Sequence, residues 1–575
     1  MRSETQGNSN PDIASFETRA AQTASTSNRA AKNRIPITIH RLEQAGIACA
    51  LLVSVLLRFI ELGSVPPPFG DELLAVADLR DQVHTGLHFT GAPVTFFDWL
   101  ISVINARALV GSALGTSLLD IRLIEACFGL LTMAALVWLG IEIGRRQLGL
   151  WAACMYGLMP WAIYYNRVAL PASEYAFLTL IGVCLLIRAV KRQRWQYFYV
   201  GVVPLVIAIY LYPPALITSP GIALAVLLVY RSKMCGRGVV HIVASGLLAC
   251  ALISYYVTAQ LVAPQGVNIG TRAVISGQAL WEHHLSLGTM VGRFVHNWAS
   301  YLNPSFLFVH GDPNPRQSIQ VIGEVGYIIA AFGILGIVQA IRTWDADSRL
   351  ALTLLFFYPV ADALTYFNAD ANSDVAVIGC VVWSLFAAAG FCAVTSRPVR
   401  RIRLRSSRSF SMNRTALFLL CTLLLACQVG VFSWYYLFRY SSVAASSFEV
   451  GYPRIVKVLE ERSGSRDVPV VMQGSFDENV MLDYFDQGRP KVRGLYFTCS
   501  QLAPNVIRYT PPGVAIVIHE SSGYNDIPGC VAGYRIIGLD ERALTGAGRR
   551  FVVWADFSNG PGAPYRTAIL WLEPT

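Results

Sequence analysis

Two adjacent carboxylates, Asp71 and Glu72, stand in the stretch PPPFGDELLAVADLR, from Pro66 to Arg80, directly after the first long apolar run. A carboxylate pair beside apolar surface and rigid prolines can have its basicity tuned by partial desolvation and like-charge coupling, as a general base requires. The same residues serve equally as first-turn acids of a helix starting here, where the helix dipole favours them. On this stretch alone the capping role is the simpler one.

Other groups able to do chemistry gather at the borders of apolar runs. Glu174 stands in LPASEY, Asp312 and Arg316 share GDPNPR, and Arg122 and Arg167 each border an apolar segment. Glu174 fits a first-turn helix acid as well as a substrate contact. Asp312 fits a turn-former, because Asp-Pro-Asn-Pro implies a turn. Arg122 is three residues from Glu125, so snorkelling or an intrahelical pair explains it as well as ligand binding does. Glu125, Glu142, Glu324 and Asp362 lie in or near apolar runs and read as helix-pairing or cavity-lining. His283, His284, His296 and His310 crowd one segment with no metal-ligand spacing, so we read them as unrelated surface histidines. Tyr164, Tyr165, Tyr210, Tyr212, Trp298 and Tyr301 fall where an interfacial aromatic belt is expected, and stacking on sugar rings is open to them too.

The elements that must position these groups are membrane helices. The chain of 575 residues is 54% hydrophobic and 14% charged, with a mean hydropathy of +0.46, against roughly 25% charged in an ordinary soluble domain. Apolar runs of roughly 17–25 residues give about eleven candidate spans: 43–61, 121–143, 150–166, 172–190, 195–211, 214–230, 239–263, 321–341, 350–367, 375–396 and 415–438. Pro160, Pro204, Pro220 and Pro359 interrupt four of them. The net charge of +10 sits in alternate short loops, which topology explains better than a nucleic-acid partner. Residues 1–42 read as a disordered cytoplasmic tail rather than a signal peptide. Basic loops follow at Arg145 and Arg146, at Arg188 to Arg194, at Arg231 to Arg237, at Arg342 and Arg349, and at Arg397 to Arg414. This asymmetry sets the N-terminus inside and the C-terminus outside.

Three larger pieces then face outward. Loop 62–120 carries Asp71 and Glu72 and an amphipathic stretch, Phe96 to Leu114, suited to lie in the interface. Loop 264–320 carries the histidines and GDPNPR. The third piece, 441–575, has the composition of a small soluble α/β domain. Its helical patterns, Tyr452–Arg462 and Asp477–Phe485, precede strand-like runs VPVVM, GVAIVIHE, YRIIGL, RRFVVWADF and TAILWL. Of the 12 cysteines, most lie in apolar runs as small hydrophobes. Cys499 and Cys530 alone face an oxidising compartment, and sequence leaves open whether they pair.

Read in order, several segments resemble a known family. DIRLIEACFGLLT from Asp120, MPWAIYYNRVALP from Met159, AIYLYPPA from Ala208 and NPSFLFVHGDPNPR from Asn303 are similar to polyprenyl-phosphate-sugar-dependent glycosyltransferases of the GT-C class. That class includes protein O-mannosyltransferases and the aminoarabinose transferase of lipid A. The resemblance covers roughly residues 45–440 and lies in the order of the pieces. It departs from the family in the short first loop and in NADANSD before the tenth span, where members often carry an arginine.

The resemblance implies a GT-C-like membrane domain over 43–440. It implies transfer of a sugar from a polyprenyl-phosphate donor to a glycan, lipid or protein acceptor on the outer face. It maps the family's catalytic aspartate onto Asp71, with Glu72 as neighbour and tuner. A departing phosphate wants arginine, whose planar fork grips its oxygens. The candidates are Arg316, Arg122 and Arg167, with Glu174, Asp312 and Tyr212 toward substrate. We expect no cofactor, no obligatory metal and no nucleic acid, and a location in a bacterial inner membrane among its lipids. A flippase for lipid-linked sugars and a non-catalytic envelope-assembly protein are the competing classes.

Overall fold

The computed structural model of the protein describes residues 37–85, 115–234, 236–262, 283–366, 371–396, 414–444 and 452–463, a few isolated positions between them, and the strands of the C-terminal portion. Most of Phe96–Leu114, residues 264–279, Asp477–Phe485, and Cys499 and Cys530 lie outside the described residues. Two compact units divide the chain, Met1–Cys49 and Ala50–Thr575. Of the first, only the opening turns of a helix are described.

Helices overlap every segment read as a span. In chain order they are α1 (Ile37–Phe59), α2 (Gly70–Thr85), α3 (Leu118–Glu142), α4 (Arg146–Leu158), α5 (Pro160–Tyr165), α6 (Ala172–Arg192) and α7 (Gln196–Leu211). There follow α8 (Ala215–Val229), α9 (Gly236–Val262), α10 (Leu287–Ser300), α11 (Tyr327–Thr343), α12 (Ala346–Phe357), α13 (Gly379–Ser396) and α14 (Arg414–Tyr435). By length and composition, Arg41–Phe59, Leu118–Glu142, Ala172–Arg192 and Arg414–Val443 are long and apolar enough to cross a membrane; α7, α8, α11 and α13 are apolar but shorter.

Proline accounts for two of the short elements. The run 150–166 is cut into α4 and α5 at Pro160, which lacks an N–H and cannot continue the ladder. The neighbouring Trp161 N–H leaves the helix and donates to the Glu324 carbonyl at 2.9 Å. Pro359 likewise separates α12 from a single turn, Val360–Ala363.

Polar contacts sort the connections into two ends. Arg145 pairs with Asp345 and Lys191 Nζ lies 2.6 Å from Asp347, so basic connections that follow α3, α6 and α11 meet. At the other end meet the start of α2, the α5–α6 turn, the GDPNPR loop and the turn before α13. Between the ends α11 and α13 cross at backbone contact. A Cβ on Gly336 would stand 1.9 Å from the Phe386 carbonyl oxygen, and one on Gly390 1.9 Å from that of Phe332.

Past Arg439 the chain changes character. Helix α15 (Tyr452–Ser463) precedes strands β1 (Val470–Gln473), β2 (Gly494–Phe497), β3 (Ala515–His519), β4 (Val531–Ala532), β5 (Arg535–Ile536), β6 (Arg549–Ser558) and β7 (Arg566–Pro574). Five form one mixed sheet in the order β2-β1-β3-β7-β6. The β1 pairings are parallel, and β7 runs antiparallel to both β3 and β6. Each strand-like run in the sequence carries a strand, while β2 and β4 fall outside those runs.

Candidate active site

Helix α2 opens on the acidic pair, and its first turn separates the two. Asp71 is exposed, whereas Glu72 is fully buried. The Glu72 carboxylate takes Arg122 Nε at 2.9 Å and Nη2 at 2.6 Å, and also the Ala169 N–H at 2.6 Å. Arg122 spends its remaining N–H groups on the carbonyls of Leu62 (3.1 Å), Pro66 (2.8 Å) and Pro67 (3.5 Å). Its partner is therefore Glu72 and not Glu125, which accepts from the Ser173 N–H at 3.2 Å.

Arg167 follows the same pattern. It donates to the Val65 carbonyl at 3.2 and 2.8 Å and to that of Leu57 at 2.6 Å, with its guanidinium 5.4 Å from the Tyr436 ring centre. Beneath it, Arg58 bonds Asn166 Oδ1 at 2.9 Å and the carbonyls of Ser54 and Gly157 at 2.8 and 3.0 Å. The sequence reading gives Arg122 and Arg167 to a donor phosphate; the structure buries both completely and turns them on carbonyls and a carboxylate. Together these arginines splint residues 57–67 and fix where α2 begins. Glu72 belongs to that splint, so the adjacent acids have different jobs.

The facing wall is built from two loops. In GDPNPR, Asp312 is buried and makes an Asx turn, Oδ1 accepting the Asn314 N–H at 2.8 Å, as Asp-Pro-Asn-Pro predicts. Its Oδ2 accepts the Ser373 N–H at 2.6 Å, which ties this loop to the turn before α13. Ser373 is the knot of that junction. Its carbonyl accepts Trp161 Nε1 at 2.9 Å, and its hydroxyl meets the Tyr165 hydroxyl at 2.9 Å. Tyr164 and Tyr440 donate to the carbonyls of Arg316 and Pro315 and fasten the loop from below. Arg316 is half-buried there, its backbone N–H held by Asn314 Oδ1 at 3.0 Å.

Tyr164, Tyr165 and Tyr301 are thus buried anchors and not members of an interfacial belt. Tyr212, read as a substrate contact, donates its hydroxyl to Asp374 Oδ1 at 2.5 Å and packs its ring, tilted by 32°, against Tyr175 at 5.2 Å between centres. Glu174, 1% exposed in the first turn of α6, takes the place that the helix dipole favours for an acid. The histidines do not converge: His283 stacks on Tyr366 at 3.6 Å, and His310 lies 3.4 Å from the Gln320 carbonyl.

Asp374 is the site residue that sequence reasoning missed. Burial pushes its carboxyl up to about 6; the Tyr212 hydrogen bond opposes this, while the negative charges of Asp71 and Asp312 add to it. Asp312 is also pushed up to about 6, again by burial, against the backbone donors of Ser373 and Asn314. Asp71 is exposed, and its negative charge acts on Asp374. The available signal was NADANSD itself, a cluster of turn-forming side chains that hydrogen-bond their own backbone. Asn372 does so here, its Oδ1 accepting the Asp374 N–H at 3.0 Å.

No family model matches the chain, and no curated protein is similar to it in sequence. Among solved structures, the Archaeoglobus fulgidus oligosaccharyltransferase tethered with an acceptor peptide is similar at 12% identity and a TM-score of 0.48, over 83% of this chain and 69% of that one. ArnT from Cupriavidus metallidurans bound to undecaprenyl phosphate is similar at 11% identity and a TM-score of 0.49, over 91% of this chain and 97% of that one. Likeness at this level assigns neither fold nor activity, which leaves the chemistry to the site.

Proposed function

We propose that the chain is an integral-membrane glycosyltransferase that moves a sugar from a polyprenyl-phosphate donor to an acceptor on the outer face of the membrane, with Asp71 as general base. The observation that carries this reading is the divided acidic pair. A buried, doubly bonded Glu72–Arg122 clamp holds an exposed carboxylate, Asp71, against a second acid of raised proton affinity. A helix cap alone needs no such framework.

In the reaction, Asp71 takes the proton of an acceptor hydroxyl as its oxygen attacks the anomeric carbon. The bond from that carbon to the phosphate oxygen breaks, the lipid monophosphate leaves, and configuration inverts. Arg316 is the phosphate partner we retain, since Arg122 and Arg167 are committed to the splint. Tyr212 acts through Asp374, and Asp312 and Glu174 hold loops and helix ends. We give no step to a metal ion and leave the acceptor as glycan, lipid or protein. The N-terminus is cytoplasmic, the C-terminal sheet is outside, and a bacterial inner membrane suits both.

The test is turnover of a radiolabelled polyprenyl-phosphate sugar in proteoliposomes, with hydrolysis read in parallel. Transfer or hydrolysis supports the proposal. Movement of the lipid-linked sugar across the bilayer without either makes the chain a flippase.

A further inference from the structure

Helix α10 is capped by Ser286, whose hydroxyl accepts the Thr289 N–H at 3.2 Å, and its side chains divide into three strips. One flank packs on the protein: Asn297 is buried and donates to the carbonyls of Thr365 at 3.1 Å and Ala363 at 3.4 Å. A second strip, Leu287, Val291 and Val295, follows the i, i+4, i+8 spacing and is 75, 53 and 54% exposed. A third, Thr289 and His296, is polar and also exposed.

A helix docked on a water-exposed wall would turn its apolar row toward the wall. Here the wall takes the asparagine and the apolar row is left open. The row also continues onto other open apolar surface. Trp298 Nε1 donates to the Phe356 carbonyl at 2.9 Å, joining α10 to the end of α12, where Phe356 is itself 46% exposed. A tryptophan with its N–H bonded, and Arg293 laid over the Tyr366 ring at 4.3 Å, are the amphipathic groups favoured at a bilayer boundary.

We infer that α10 lies in the bilayer interface at the end of the molecule that carries Asp71, with Leu287, Val291 and Val295 against acyl chains and the Thr289–His296 edge in water. Its occupant is lipid, and the inference does not depend on the glycosyltransferase reading. The helix presents an apolar strip of about three turns to the membrane, which suits an interfacial and not a spanning role. It would hold the loops around Asp374 at a fixed depth, since Tyr301, just past its end, donates its hydroxyl to Asp362 Oδ2 at 2.6 Å and accepts the Asn372 N–H at 2.9 Å.

The test places the photoreactive residue p-benzoyl-phenylalanine singly at Val291, Val295, Thr289 or His296 of the full chain. The protein is reconstituted in vesicles of phosphatidylethanolamine and phosphatidylglycerol, and irradiated peptides are read by mass spectrometry. The expected result is roughly tenfold more acyl-chain adduct from positions 291 and 295 than from 289 and 296. Equal adduct at all four positions, or none at 291 and 295, overturns the inference. So does cross-linking of 291 to a second copy or another protein. Unchanged melting of each variant shows that the exposed positions tolerate the probe.

Discussion

Glu72 and Arg122 show how far a residue's type and its partner are separate pieces of information. The sequence makes both visible, and adjacency suggests that Glu72 tunes Asp71, yet the partners are 50 positions apart. Only tertiary packing brings them together. With both side chains fully buried, removing one strands the other. Glu72→Gln should therefore cost about 3–5 kcal/mol of stability, while Glu72→Leu with Arg122→Met recovers most of it. Thermal unfolding in detergent measures both, and a single variant that melts with the wild type would contradict the clamp. Asp374 was legible only as a turn-former, because its proton affinity comes from burial and from charges on other loops.

Among the elements, apolar runs located the helices well, since a run that long has few other uses. Their ends were less legible. The span read from residue 321 begins its helix at Tyr327, after the chain bonds across the Ser305–Val309 turn. The breaks at Pro160 and Pro359 follow directly from proline chemistry. The glycine crossing of α11 and α13 was not visible, because glycines in apolar runs look alike. Gly336→Ala places a methyl group 1.9 Å from a carbonyl oxygen and should destabilise by about 1–3 kcal/mol. Gly430→Ala in α14, where a Cβ meets nothing within 4 Å, should be neutral in the same melting experiment. Equal effects at the two positions would remove the close crossing.

For the molecule as a whole, the basic loops at Arg145 and Lys191 meet through Asp345 and Asp347, acids the sequence reading did not single out, while the acids of the candidate site gather at the other end. That separation has a pH signature. Asp312 and Asp374 titrate in the folded chain at about 6, against an ordinary 3.8. The folded state thus holds these protons more tightly than the unfolded chain does. Their stabilising contribution is complete below the ordinary value and is lost as pH rises through about 6. Melting temperature should fall across that window, and Asp374→Asn should flatten the fall. An unchanged slope in the variant would show that Asp374 does not carry the effect.

The measurement that bears most directly on the whole account is single-turnover sugar release from a radiolabelled polyprenyl-phosphate sugar in proteoliposomes, wild type beside Asp71→Asn. The amide keeps the shape and exposure of Asp71 and removes its basicity. With general-base catalysis at stake, turnover should drop by roughly 10²–10⁴-fold while melting and donor binding stay as in the wild type. Turnover within a factor of about three of the wild type would mean that Asp71 only caps α2 and that the base lies elsewhere.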